Sequence, residues 1–157
     1  MKYKGLLLLQ KGDLDLARQA FEKLRDNGTA GGRAEGYLGL GKVNQKLGAA
    51  RHEETAQYLK NCGTNLNRLK PDEQDALTRV ELHEQLARVQ GDPGNAQNDV
   101  VTAIDNCKKS IAALSALPSQ GRFVSDKNRE LSALLWNLEK SHSSQDNVDP
   151  QPSGNAT

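Results

Sequence analysis

Apolar side chains recur along the chain at intervals of three and four residues, the spacing that places them on one face of an α-helix. Leu14, Ala17, Phe21 and Leu24 form one such stripe. The sequence lacks the alternation of apolar and polar residues that is typical of strands, and its β-branched residues are few. The pattern therefore predicts an all-α fold.

Glycines, prolines and capping residues divide this pattern into about seven helices. We expect the helices at residues 2–11, 13–26, 34–47, 50–70, 71–90, 95–116 and 125–142. Asp13 and Ser125 are expected as N-caps. The pairs Asn27-Gly28 and Gly31-Gly32 are expected in a flexible turn between the second and third helices. Gly63 falls inside the fourth helix, and because glycine is a poor helix former, a helix interrupted at Gly63 is an open alternative.

The composition after residue 70 indicates a helix start, and the composition after residue 142 indicates a disordered tail. Pro71 and the acidic residues after it are typical of a helix start, because proline lacks an N–H and carboxylates favour the positive end of the helix dipole. After His142 the chain has almost no apolar side chains with which to offset its ordering entropy. We therefore predict one helical domain over residues 1–142 and a disordered tail over residues 143–157.

The glycines that end the predicted helices recur at similar intervals. Gly12, Gly48 and Gly91 are separated by 36 and 43 residues, which indicates an internal repeat of helix pairs. Two antiparallel helices need a small residue where their backbones touch, and a single pair cannot bury its apolar face, so the pairs must stack. The small residues expected at these contacts are Gly5, Ala17, Gly41 and Ala96.

With these residues the chain resembles the tetratricopeptide repeat family over roughly residues 1–110. The matching positions are Gly5, Leu8, Gly12, Ala17 and Phe21, then Tyr37, Leu40, Gly41 and Gly48, then Gly91, Ala96, Val100 and Ala103. Asn44 and Glu84 depart from the family's preference for a large apolar and a small residue. The resemblance implies stacked antiparallel hairpins in an α-solenoid capped by the seventh helix. A related solenoid and a bundle with two repeat-like hairpins stay open.

The resemblance also implies a function. Members of the family are mostly not enzymes, and they hold a peptide or a partner helix on a concave surface lined by the first helix of each pair. We therefore expect a non-catalytic protein–protein interaction module, or adaptor, that binds a protein or peptide partner. The expected concave-face residues are Lys2, Leu6, Leu9, Leu38, Lys42, Gln45, Glu81, Gln85 and Arg88.

One branch of the family is not expected here. Chaperone-binding members hold a terminal carboxylate with a clamp of Lys, Asn and Arg side chains, and only Lys2 fits that clamp. Leu6 and Gly39 replace the asparagines, and Glu81 and Gln85 replace the last two cations. Glu81 would repel an acidic tail, so recognition of such tails is not predicted.

An alternative function is a structural subunit, or a fragment of a larger assembly or a longer repeat array. Met1 directly precedes the first helix with no cap ahead of it, so the N-terminal face of that helix would be bare. Such a face usually stacks on something. The alternative therefore predicts homo- or hetero-oligomerisation through the N-terminal helix.

Charge and composition narrow the partner class. The formal net charge is +1, which argues against nucleic-acid binding through bulk charge. Residues 1–70 carry a net charge of +6 and residues 71–157 a net charge of −5, an asymmetry that could orient a partner or a second copy.

The longest aliphatic run, Leu6 to Leu9, is too short for a membrane span or a signal peptide. We expect a cytoplasmic protein with no membrane insertion.

Candidate chemistry is sparse. The three histidines lack the spacing of a helical zinc signature and are expected to be exposed: His52, His83 and His142. The two cysteines, Cys62 and Cys107, lie on apolar stripes and are expected to be small buried residues. The sequence does not decide whether they form a disulfide. No acid–base pair or phosphate-binding loop stands out, so no enzyme activity, metal or cofactor is expected.

The single tryptophan, Trp136, lies roughly 140° from Leu131 around the seventh helix. It either borders a wide buried stripe or is an exposed anchor for a partner.

Overall fold

The computed structural model describes residues 2–48, 51–71, 76–118 and 121–146, and over these residues the protein is all-helical. Their seven helices are α1 (Lys2–Lys11), α2 (Leu14–Arg25), α3 (Ala30–Leu47), α4 (His52–Leu66), α5 (Ala76–Gln90), α6 (Val100–Ser115) and α7 (Arg122–Asp146). The described residues contain no strand, which confirms the predicted fold class. None of these helices combines the length and the apolarity that crossing a membrane requires.

Capping residues set two helix starts that the apolar pattern misplaces. Helix α3 begins four residues earlier than predicted, because the Thr29 side chain accepts a hydrogen bond from the Gly32 N–H. Gly31 and Gly32 therefore lie in the first turn of a helix, and the predicted flexible turn is wrong at these two residues, whereas Asn27 and Gly28 do lie in the turn between α2 and α3. Helix α6 begins later than predicted, at Val100, where the Asp99 carboxylate caps the Thr102 N–H.

Other boundaries shift less. Helix α4 continues through Gly63 without a break, and Ser125 lies inside α7 instead of capping it. Helix α7 also continues to Asp146, four residues past the predicted end of the domain. The acidic residues expected to begin α5, Asp72, Glu73 and Asp75, and most of the predicted disordered tail lie outside the described residues.

Helices that follow one another along the chain pack against each other, so short loops join antiparallel neighbours. The first helices of successive pairs also touch, α1 against α3 and α3 against α5. Gly12 and Gly48 follow helix ends and have φ angles of 87° and 100°, positive values that glycine adopts without the steric cost of a side chain. This arrangement brings α1, α3 and α5 side by side.

The small residues predicted at helix contacts are buried, with one exception. Gly5 and Gly41 lie in the interior with Ala17. The ring of Phe21 is bordered by Gly5 of α1 and Gly39 of α3, and a Cβ on Gly39 would overlap it. This close approach buries Phe21 almost completely.

Ala96 is the exception, and its prediction as a contact residue is wrong. It lies exposed in the loop between α5 and α6, because α6 begins four residues further on. Ala103 of α6 is fully buried and packs with Ala87 of α5 and with Cys107 and Leu138.

Candidate functional site

Five of the residues predicted for a concave surface line one cleft. Lys2 and Leu6 of α1, Leu38 and Lys42 of α3, and Glu81 of α5 border this cleft. We call it the inner cleft, and its remaining lining residues are Phe21, Glu35, Gly39 and Thr78. The contacts between the first helices of successive pairs therefore bring together residues up to 79 positions apart in the sequence.

Ion pairs close the inner cleft from one helix to the next. The Lys2 ammonium lies 3.2 Å from the Glu35 carboxylate, which links α1 to α3. The Lys42 ammonium contacts the Glu81 carboxylate and links α3 to α5. These side chains are about four-fifths buried, so the pairs are shielded from solvent more than ordinary surface pairs.

Burial lowers the pKa of Lys42 to about 8, while the charge of Glu84 acts in the opposite direction. The Glu81 carboxylate in contact with it also favours the charged ammonium. Lys42 is therefore charged at pH 7 and acts as a cation in this network.

Glu84 extends the network to α7. Its carboxylate is 5% exposed and lies 3.1 Å from the Lys127 ammonium and 2.9 Å from the Arg88 guanidinium. Burial alone would raise the pKa of Glu84, but Lys127 and Arg88 together hold it below its ordinary value. Glu84, which departs from the family pattern, is thus a buried anion that ties the seventh helix to the fifth.

The inner cleft has little free space. Its volume is about 10 Å³, about the room for one water molecule. Leu38 is 6% exposed and belongs to the core, and Leu9 packs in the cluster around Phe21. The predicted concave-face residues Leu9 and Leu38 therefore contribute mainly to packing, and a partner would have to separate the ion pairs to reach them.

The remaining predicted concave-face residues lie outside the cleft lining. Gln45 is half-buried, Gln85 is buried, and Arg88 is exposed against Glu84. The Nε2 atom of Gln45 and the Oε1 atom of Gln85 are buried and have no hydrogen-bond partner among the described residues. Each amide could still accept or donate one bond to a partner that reached it.

The outer side of the first hairpin, away from the inner cleft, exposes apolar side chains. Leu7 of α1 and Leu16 of α2 are 51% and 52% exposed, and Tyr3 is 80% exposed. A shallow groove of about 130 Å³ runs between the two helices over Leu8 and Ala20. These exposed leucines beside a groove make the outer side of the first hairpin a candidate docking surface.

Helical spacing organises this surface into two stripes. Each helix contributes four residues at positions i, i+3, i+4 and i+7, which share one side of a helix. We define the outer face by these residues: Lys4, Leu7, Leu8 and Lys11 of α1, and Leu16, Gln19, Ala20 and Lys23 of α2. The sequence shows the spacing, but it also contains the competing inward stripe of each helix, so it does not show which stripe remains uncovered.

Trp136 is 62% exposed on α7, so most of its side chain lies in solvent, and its role as an anchor for a partner stays a prediction. The Lys140 ammonium lies 4.9 Å from the centre of its ring. Leu135 and Glu139 line a wide groove beside it, with a volume of about 570 Å³. Trp136 is therefore a second exposed aromatic surface, remote in the fold from the first hairpin.

The histidines are less exposed than predicted. The His52 side chain is 11% exposed, and its Nε2 atom lies 2.7 Å from the Asp92 carboxylate in the α5–α6 loop. His83 is half-buried beside Asn106, and burial lowers its pKa. The contact between His52 and Asp92 links α4 to the α5–α6 loop.

A cavity of about 440 Å³ lies beside His52, lined among others by Val89, Gln90, Asn95 and Gln97. Its described lining offers no Ser, Thr, Cys or Lys side chain that could act as a nucleophile with the histidine. Within the described ranges no group of three or more His, Cys, Asp or Glu residues is placed to hold a metal ion.

Cys62 and Cys107 are both buried, as predicted, and both are free thiols. Burial raises the pKa of Cys62 to about 12 and that of Cys107 to about 11. They are therefore protonated, unreactive core residues at neutral pH.

No family model, curated protein or solved structure matches the chain. The resemblance to tetratricopeptide repeats, and every role that it implies, therefore stays a prediction. Arguments about function rest on the surfaces described above.

Proposed function

We propose that this protein is a non-catalytic interaction module whose outer face docks a helix of another protein. The observation that carries this proposal is the half-exposed pair Leu7 and Leu16 on the outer face, where Leu16 lines the groove between α1 and α2. The proposal corresponds to the alternative prediction of an assembly subunit that stacks through its N-terminal face.

The inner cleft supports docking less well. Its cations are already paired with carboxylates of the neighbouring helices, and Leu38 at its floor is buried. A partner there would have to replace ion pairs that are largely shielded from water, which costs several kcal/mol per uncompensated charge. Docking on the outer face separates no contact among the described residues.

The expected contribution of the leucines can be worked out from their exposure. Complete burial of a leucine side chain stabilises by about 1.5–3 kcal/mol, so covering the exposed half of each adds about 1 kcal/mol. The two together contribute about 2 kcal/mol, which corresponds to about a 30-fold change in affinity.

The test is a selection of displayed random peptides on the wild-type protein, followed by binding measurements on variants. Leu7→Ser/Leu16→Ser is expected to weaken the selected peptides about 30-fold. The matched control is Val101→Ser/Phe123→Ser, which removes two equally exposed apolar side chains elsewhere and should leave binding unchanged. Selection of no peptide, or undiminished binding to the Leu7/Leu16 variant, would overturn the proposal.

A second candidate is binding on the inner side of the first helices. It is favoured by the buried, unpaired amide atoms of Gln45 and Gln85, to which a peptide backbone could bond. In the same selection, Gln45→Ala and Gln85→Ala would then weaken the peptides, while Leu7→Ser/Leu16→Ser would not.

A further inference from the structure

We infer that the partner of the outer face is an amphipathic helix with carboxylates at the end that lies beside Lys4 and Lys23. This inference rests on the proposed function and adds the chemistry of the partner. It is carried by the charge of the outer face and by the position of that charge along the groove.

The lysines of the outer face have no counter-charge. The side chains of Lys4, Lys11 and Lys23 make no hydrogen bond or ion pair with any residue that the structure describes. The acidic residues of α2, Asp15 and Glu22, lie about 100° around the helix from the Leu16–Lys23 stripe and do not line the groove. The outer face is therefore uniformly positive.

The inner lysines provide the comparison. Lys2, Lys42 and Lys127 each contact a glutamate on a different helix of the chain. Within the described residues, each of these three lysines is neutralised by a carboxylate on another helix of the chain. The outer face has no neighbouring helix that could supply one. A partner helix that supplies carboxylates would complete the same arrangement.

The geometry gives the partner an orientation. Because α1 and α2 run antiparallel, Lys4 near the start of α1 lies close to Lys23 near the end of α2, and both line the groove. Leu8, Ala20 and Leu16 continue the groove toward the other end. The small Ala20 side chain leaves room for an apolar side chain of the partner, whose acidic end would face the two lysines.

Two other occupants fit less well. A second copy docked through the same face would place three lysines against a surface that also carries lysines and no carboxylate, and this like charge disfavours association. An anionic membrane would be attracted by the lysines, but a concave groove between two helices offers less contact to a flat surface than to a rod-shaped helix.

The experiment uses two synthetic peptides, each about four helical turns long, with the same leucine stripe. One carries glutamates at one end of the stripe, and the other carries lysines at the same positions. Their binding to the full chain is measured by fluorescence anisotropy, and we expect the glutamate peptide to bind about tenfold or more tightly, with a preference that weakens as salt is added. Vesicles of phosphatidylserine and phosphatidylcholine form a third arm, in which no binding is expected.

Charge reversal identifies the lysines. Lys4→Glu/Lys23→Glu should invert the preference between the two peptides, whereas the matched control Lys60→Glu/Lys108→Glu changes the net charge equally on exposed sites elsewhere and should not. Equal binding of both peptides, an unchanged preference in the Lys4/Lys23 variant, or binding to the vesicles instead would overturn the inference. If these results occur while Leu7→Ser/Leu16→Ser still abolishes peptide binding, the proposed function stands and only the acidic partner is wrong.

Discussion

Replacing Gly39 by alanine tests whether close helix contact around Phe21 holds the first three helices together. The variant adds one methyl group in the middle of α3, at a point where a Cβ would overlap the ring of Phe21. Gly63 is the matched control, because it also lies inside a helix, but a Cβ there would meet only a Leu82 methyl group at 3.7 Å. Both changes alter the same intrinsic preference for the helix.

The two effects on Gly39→Ala have opposite signs. Alanine favours the helix over glycine by about 1 kcal/mol. Overpacking a filled core costs about 1–3 kcal/mol, and the upper value applies because the Phe21 ring is 1% exposed and is also bordered by Gly5, where a Cβ would lie 2.7 Å from the ring. The net loss is about 2 kcal/mol, or about 4–8 °C in Tm for a domain of this size. Gly63→Ala should gain about 0.5–1 kcal/mol.

The assay is urea unfolding followed by far-UV circular dichroism, which reports on all helices equally. A double-mutant cycle with Phe21→Leu adds a second readout, because a smaller side chain at position 21 leaves space for the new methyl group. Phe21→Leu should therefore destabilise the Gly39→Ala background less than the wild type. If Gly39→Ala is as stable as Gly63→Ala, or if the cycle shows no coupling, the close contact does not exist and the reasoning fails.

Three further predictions concern the buried polar groups. Glu84→Gln should cost about 2 kcal/mol at pH 7, because it removes the buried anion that Lys127 and Arg88 share and leaves Lys127 only the exposed Glu130 carboxylate. Since the pKa of Glu84 lies below 4.5 in the folded protein, its stabilisation is present above pH 4.5 and is lost as the pH falls through the lower value, so the variant's pH–stability curve should be flatter in acid. The Cys62 thiol, whose pKa is about 12, should resist alkylation at pH 8 until the protein unfolds, and rapid labelling of the native protein would contradict its burial. His52→Phe should accelerate hydrogen exchange in the α5–α6 loop through loss of the Asp92 contact while changing global stability little, and unchanged exchange would show that the contact does not hold the loop.

The features predictable from the sequence are those that depend on neighbours along the chain. The Leu14–Leu24 stripe and the small residues Gly5, Ala17 and Gly41 follow from helical spacing and from the space available between two backbones. The apolar pattern misses the start of α3, because Thr29 satisfies the first free N–H groups before any apolar stripe begins. Local capping chemistry could have corrected that boundary.

The ion pairs that close the inner cleft depend on positions far apart in the sequence. Lys2 and Glu35 are 33 residues apart, and Lys42 and Glu81 are 39 residues apart. The resemblance predicts that several first-helix residues share one surface, but it does not indicate whether their charges face a partner or one another. Only the packing of the helices decides this, because each pairing depends on the relative placement of two whole helices.

The packing of the helices also explains why lysines on the two sides of α1 differ in whether they are neutralised by a carboxylate. Lys2 and Lys4 are two residues apart on one helix, yet Lys2 meets Glu35 while Lys4 meets no carboxylate among the described residues. The difference is the presence of α3 on one side, because a covered side of a helix must neutralise its charges and an open side need not. The outer face therefore combines unneutralised lysines with half-exposed leucines, and this is the combination that the proposed acidic, amphipathic helix would complement.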